Sequence, residues 1–256
     1  MTEQTPCIGA VVLAGGRVPA SLAHLCRHRA LLHIHGRVMV DYVADALQRA
    51  PSIRGIVTVA PAEALSELAH LPGQQLAAGD TLVTNMQLGA RALDTIHPTH
   101  LLFITGDLPL ITVEGIEQYI AASLASSAAL TYPIIPRAAS ETRFPGAKRT
   151  YVRIHEGTFT GGNAICTDAH LLDDKHALIQ SLYAARKQPL RLANILGWGT
   201  VWRLLLGSLT LPYLEAVATR ILDAPVRAII TPYAEMGFDV DKPEDLAAVE
   251  DALNAG

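Results

Sequence analysis

The segment Ile8-Gly9-Ala10-Val11-Val12-Leu13 is apolar at every position and ends in Ala14-Gly15-Gly16. A strand with no polar alternation has no solvent face, so it belongs inside a sheet covered by helices on both sides. Similar runs recur at Ile53–Ala60, His100–Thr105, Ala128–Ile135 and Ala224–Ile230, with a shorter one at Asn163–Cys166. Between them, Arg37–Arg49, Ala62–Ala69, Leu82–Leu93 and the stretch from Thr112 to Leu124 carry helical spacing, with Thr112 placed to cap its helix. This alternation predicts a three-layer α/β fold around a mostly parallel sheet, with right-handed crossovers and Ile8–Leu13 away from the sheet edge.

The second half departs from that rhythm. Arg137–Thr160 is rich in charge, Gly and Thr and predicts irregular loops and a β-ribbon. From His170 to Leu222 the chain reads as helices broken at Pro189, Gly197, Gly207 and Pro212, and Lys242–Leu253 reads as a closing helix. The expectation is one domain over 1–256 with a helical insertion, 170–222, before the last strand. Trp198, Trp202 and Leu205 share one face of that insertion. Core packing is the expected use of the face; an oligomer contact or a lid over the acceptor side is the alternative.

At 256 residues, half of them hydrophobic, the chain is long enough to bury a sizeable core. Its net charge of −4 gives no global footprint for nucleic acid. Cys7, Cys26 and Cys166 are odd in number and lack metal-ligand spacing, which fits free thiols in a reducing compartment. The only apolar run near the N-terminus ends in glycines rather than a cleavage site, and no run reaches membrane-spanning length. A cytoplasmic protein with no membrane partner is expected.

Four features carry candidate chemistry. Leu13-Ala14-Gly15-Gly16-Arg17 follows the first strand, where paired glycines let backbone N–H groups approach phosphates and Arg17 adds a charged fork. It is neither G-x-G-x-x-G nor a Walker loop. Arg29-Ala30-Leu31-Leu32 places a cation before a short apolar segment. Gly106-Asp107-Leu108-Pro109 puts a carboxylate at the carboxyl end of a buried strand, where ligands of open α/β sheets collect and where magnesium finds hard oxygen ligands. Asp239-Val240-Asp241 points two carboxylates to one side, although Asp241-x-x-Glu244 with Pro243 also reads as a capping box. Taken singly, each has a plain structural use: a strand-to-loop turn, a surface cation, a turn Asp, a helix cap. His24, His28, His33 and His35 lack the spacing of a metal site.

Taken in order, these segments, with Gly36-Arg-Val-Met-Val-Asp-Tyr-Val43 and the run on to Leu246, resemble the molybdenum-cofactor guanylyl- and cytidylyltransferases. Those belong to the GT-A-like nucleoside-triphosphate transferase superfamily. The resemblance spans nearly the whole chain. It implies that Leu13, Ala14, Gly15, Gly16 and Arg17 line a triphosphate. Arg29 would stand at the family's signature lysine. Asp107 would bind magnesium beside Gly106, completed by Asp239 or Asp241. Gly79 and Asn85 would lie near the base, and Gly161, Gly162 and Asn163 near the acceptor. Two departures from the family pattern are Val18-Pro19-Ala20-Ser21 after the double glycine and Arg29 in place of Lys.

The implied activity is transfer of a nucleoside monophosphate from a nucleoside triphosphate to a phosphorylated or anionic small molecule, with pyrophosphate release. Arg17, Arg29 and Asp107 would carry the catalysis. Lys148, Arg149 and Arg153 are charges that could hold an anion or simply lie on a ribbon surface. The rival readings are a GT-A glycosyltransferase, which would want a D-x-D motif in mid-chain, and a non-catalytic nucleotide-binding homologue.

Overall fold

The computed structural model describes residues 6–172, 175, 178–181 and 189–254. Its centre is a nine-stranded sheet in the order β5-β4-β1-β6-β10-β7-β9-β8, with β11 on the other side of β7. The strands are β1 (Ile8–Leu13), β4 (Ile53–Ala60), β5 (Gln74–Ala77), β6 (His100–Thr105), β7 (Leu130–Pro136), β8 (Val152–Ile154), β9 (Gly157–Gly161), β10 (Ala164–Asp168) and β11 (Val226–Ile230). A separate small hairpin joins β2 (His33–Ile34) and β3 (Arg37–Val38). β5, β4, β1 and β6 are parallel neighbours, and β11 is parallel to β7. β10 lies antiparallel between β6 and β7, so β7 returns to the common direction, and β9 opposes it again. The sheet is therefore mostly parallel. β1 is central, flanked by β4 and β6.

Period-two alternation divides the core. Ala10, Val12, Leu102 and Ile104 face one layer, with Met39, Val43 and Leu47 of α1 (Met39–Arg49) and Ile116 and Ile120 of α3 (Val113–Ala125). Val11, Val57, Val59, Leu101 and Phe103 face the other, against Met86 of α2 (Leu82–Ala92) and Leu93 just beyond it. Helices thus cover both faces, and the parallel strands all deliver their carboxyl ends to one rim.

Further helices with described bounds are α4 (Arg137–Arg143), α5 (Pro189–Leu196), α6 (Trp198–Leu205), α7 (Leu211–Leu222) and α8 (Pro243–Asn254). Thr112 caps α3 as expected, its hydroxyl accepting from the Gly115 N–H. Of the helical stretch expected from His170 to Leu222, positions 173, 174, 176, 177 and 182–188 lie outside the described residues.

Several local expectations need correction. Ala62–Ala69 forms only a short 3₁₀ turn over Ala62–Ala64, because the chain winds through successive three-residue turns to bring β5 beside β4. α1 begins at Met39 rather than Arg37, since His35 and Gly36, both with positive φ, turn the chain tightly and engage Arg37 in the hairpin. Arg137–Thr160 holds the expected ribbon, β8–β9, but opens with α4, steadied by an Arg137–Glu141 pair at 2.7 Å. The face of α6 does not pack into the core: Trp198 and Trp202 are 52% and 61% exposed, because an eight-residue helix buries only the side carrying Thr200.

Candidate active site

The rim formed by the carboxyl ends of β1 and β6 gathers the charged residues. Gly106 N donates to Leu13 O at 3.1 Å, which ties the two strand ends together. A Cβ at Gly106 would stand 3.2 Å from Val40 and 3.3 Å from Ala14, so only glycine passes comfortably there. Asp107 follows and accepts the Val240 N–H at its main-chain oxygen, 3.2 Å away. That bond brings the segment after β11 to the end of β6.

Arg29 lies at the junction. Its Nη1 is 2.9 Å from Asp107 Oδ2. Its Nη2 is 3.3 Å from Asp239 Oδ2 and 2.6 Å from Asp241 Oδ1, and it also donates to Val240 O at 2.9 Å. One guanidinium therefore joins all three carboxylates singled out from sequence. The side chains of Arg29 and Asp107 are only 14% and 13% exposed, which limits solvent screening of their pair. Asp107 Oδ1 is buried with no hydrogen-bond partner among the described residues. Burial raises the pKa of Asp107 above the ordinary carboxylate value; Arg29 opposes the rise, while Asp239 and Asp241 add to it. Asp241 is raised as well, by burial first and then by Asp239 and Asp245, with Arg29 again opposing.

The glycine loop sits over this cluster. A Cβ on Gly16 would lie 3.8 Å from the Arg29 Cδ, so the loop covers the arginine stem. Gly15, Gly16 and Arg17 are exposed, Leu13 half-buried and Ala14 buried. Arg17 makes no ion pair among the described residues. A second group forms beside Gly15: Asn85 Oδ1 accepts from Gly79 N at 2.7 Å, and the Asn85 amide lies 3.4 Å from where a Gly15 Cβ would be. Asn85 is 8% exposed, at the start of α2. Gly15, Gly79 and Asn85 are thus one neighbourhood, adjoining that of Gly16 and Arg29.

Gly161, Gly162 and Asn163 have a packing role in this structure. A Cβ on Gly161 would fall 2.3 Å from the Tyr132 hydroxyl, and one on Gly162 would fall 2.8 Å from Pro133. Asn163 links the end of β6 to the 3₁₀ turn Ala234–Gly237 through its backbone: its N–H donates to Met236 O and its carbonyl accepts from Thr105 N. The segment therefore borders the Asp107 and Asp239 rim without contributing a charged group to it.

Sequence reasoning missed two participants. Arg149, weighed as an anion-holding or a ribbon surface charge, is 9% exposed and bonded to Asp239. Asp245, rather than Glu244, caps α8, accepting from the N–H groups of Asp241 and Lys242. The capping-box expectation for Asp241 is corrected accordingly, because its carboxylate is spent on Arg29. The acidic run of four at Asp239, Asp241, Glu244 and Asp245 was the available signal, but it did not say which carboxylate caps the helix.

Comparison with known proteins agrees with this architecture. No curated protein matches the chain. Among solved structures, a hypothetical transferase from Thermus thermophilus is 39% identical with a TM-score of 0.82, the alignment covering 94% of this chain and 99% of that one. A nucleotidyl transferase from Methanothermobacter is 16% identical with a TM-score of 0.58, covering 98% and 99%. A CMP:2-keto-3-deoxy-manno-octonic acid synthetase complexed with CTP is 11% identical with a TM-score of 0.61, again covering 98% and 99%. The last two show a shared fold. The MobA-like NTP transferase domain matches residues 10–201, a span running from β1 through the Gly16 loop, Arg29 and Asp107 into α6. The chain belongs to the MobA-like NTP transferase family.

Proposed function

We propose that the protein transfers a nucleotidyl group from a nucleoside triphosphate to a phosphorylated or anionic small molecule, releasing pyrophosphate. The observation that carries this reading is the meeting of Asp107, Asp239 and Asp241 on Arg29 beneath Gly16. Backbone N–H groups of the Gly15-Gly16 loop are suited to phosphate oxygens, and the exposed Arg17 is available to the β- and γ-phosphates. The base would lie by Gly79 and Asn85, whose fixed amide offers directional hydrogen bonds. The acceptor would approach along Gly161, Gly162 and Asn163. No covalent nucleophile is needed: the acceptor oxygen attacks the α-phosphorus while position and charge compensation supply the acceleration.

Magnesium fits the donor chemistry. All three candidate ligands are carboxylates, and Asp107 Oδ1 is a buried hard oxygen without a partner among the described residues. Asp107 with Asp239 or Asp241 would hold the ion, whose chemistry is to offset the charge of the phosphates. Among the described residues no three acidic, imidazole or thiol side chains form a metal cage by themselves. Magnesium usually completes its shell with phosphate oxygens and water, so binding together with the triphosphate suits this arrangement. Free thiols and the absence of any helix, among the described residues, long and apolar enough to cross a membrane accompany a cytoplasmic role in this reading.

The test is pyrophosphate release across the four ribonucleoside triphosphates and a panel of phosphorylated acceptors. Asp107→Asn is expected to lower metal-dependent turnover about 10²- to 10³-fold while its circular dichroism and melting curve stay close to the parent's. Turnover retained in that variant would sink the mechanism. Hydrolysis of nucleotide sugars in place of triphosphate consumption would favour the glycosyltransferase reading instead.

A further inference from the structure

One of the carboxylates that meet Arg29, Asp239, is also gripped through its other oxygen. Arg149 lies in the connection between α4 and β8. Its Nη1 donates to Asp239 Oδ1 at 3.1 Å, and its Nη2 donates to the main-chain oxygen of the same residue at 3.0 Å. Nη2 is also 3.5 Å from Asp245 Oδ1. The guanidinium carbon stacks 4.1 Å from the centroid of Phe238, whose ring is 3.9 Å from that of Phe144. Asp245 in turn accepts, through Oδ2, the N–H groups of Asp241 and Lys242 at 3.1 Å each.

These contacts fix a short turn at both ends. Asp239 has one carboxylate oxygen on Arg149 and the other on Arg29, so it cannot rotate without losing a charge-assisted bond. Asp241 is held through its main chain by Asp245, which shares the Arg149 guanidinium. Left alone, neighbouring carboxylates would repel and splay apart. A planar fork is needed to reach a side-chain oxygen and a carbonyl of one residue while stacking on a ring, which a lysine ammonium cannot do. Nor is Arg149 open to a substrate anion: both terminal nitrogens are engaged, and Nε, without a partner among the described residues, is buried away from the surface.

We propose that Arg149 is a positioning residue for the reaction, holding Asp239 directly and Asp241 through Asp245 in the orientation from which they face Asp107, without touching substrate. Its chemical consequence rests on the nucleotidyl-transfer reading above; its geometric claim does not. The experiment compares the parent with Arg149→Lys, which keeps the charge and is the variant better able to fold, and with Asp245→Asn. Amide hydrogen exchange is measured by fragment, Mn2+ binding by paramagnetic resonance, and steady-state rates against triphosphate and acceptor. Arg149→Lys is expected to speed exchange in residues 239–246 and leave β1 and β6 unchanged. It should weaken Mn2+ binding about tenfold and lower kcat about 10- to 100-fold, with KM for the triphosphate nearly constant, as for a group acting only through a catalytic one. Asp245→Asn should shift Mn2+ binding the same way, and the double variant should fall short of the sum. Unchanged exchange, or looser exchange with Mn2+ affinity intact, would overturn the proposal. A raised acceptor KM at constant kcat would do so too, by marking Arg149 as an anion-binding group. If the parent turns over no triphosphate, the reaction reading fails while exchange and Mn2+ binding still decide the positioning role.

Discussion

Cys166 shows what burial does to a single ionisable group. It is 2% exposed on β10, and burial pushes its thiol from the ordinary value near 9 up to about 12. The unfolded thiol would begin to ionise near pH 9 while the folded one holds its proton. The stabilisation is therefore complete below pH 9 and is lost as pH rises towards 12. Two outcomes follow. Cys166→Ala should leave the number of thiols titrated in the native protein at pH 8 unchanged and lower the number in denaturant by one. It should also flatten part of the fall in unfolding free energy between pH 9 and 11, the remainder belonging to groups such as the buried Tyr119 hydroxyl, also raised by burial. At this scale the sequence was informative wherever a residue followed a strand. Asp107 and Asp239 were legible because strand ends converge on one rim. Arg149 was not, because its position depends on a ribbon whose path no periodicity encodes.

Among the elements, the contact of α2 with β1 turns on one missing side chain. A Cβ on Gly89 would stand 2.3 Å from Val11 Cγ1, and Val11 is fully buried between β4 and β6. Alanine in place of glycine should favour the helix by about 1 kcal/mol. Overpacking a rigid β-branched neighbour costs about 1–3 kcal/mol. The clash is with a side chain that cannot move aside, so Gly89→Ala is expected to destabilise by about 1–2 kcal/mol, read from a urea unfolding midpoint. The sequence revealed elements in proportion to their burial. β1 is a continuous apolar run, β4 and β6 are largely apolar, and all three were bounded correctly at both ends. β5, Gln-Gln-Leu-Ala on the sheet edge, is half polar and short, and escaped notice. α4 is seven residues of mainly small and charged side chains, too brief for an apolar stripe to declare itself.

For the molecule as a whole, the exposed face of α6 provides a direct readout. The chain has two tryptophans, Trp198 and Trp202, both on that face and both more than half exposed. In dilute solution their emission should be red-shifted and readily quenched by iodide. A shift to shorter wavelength with rising protein concentration would show a second copy covering the face. The rim chemistry has a different dependence on the whole chain. The Arg29–Asp239 bond spans 210 positions, and α8 follows within a few residues. Charges near the beginning of translation therefore wait for the last strand and its following turn before they find their partners. During synthesis Arg29 and Asp107 leave the ribosome long before Asp239, and a chain that stops short of β11 keeps much of the sheet but no complete acidic rim. Under the proposed function, turnover is expected only of chains long enough to carry Asp239 and Asp241, and a truncation before β11 should release no pyrophosphate.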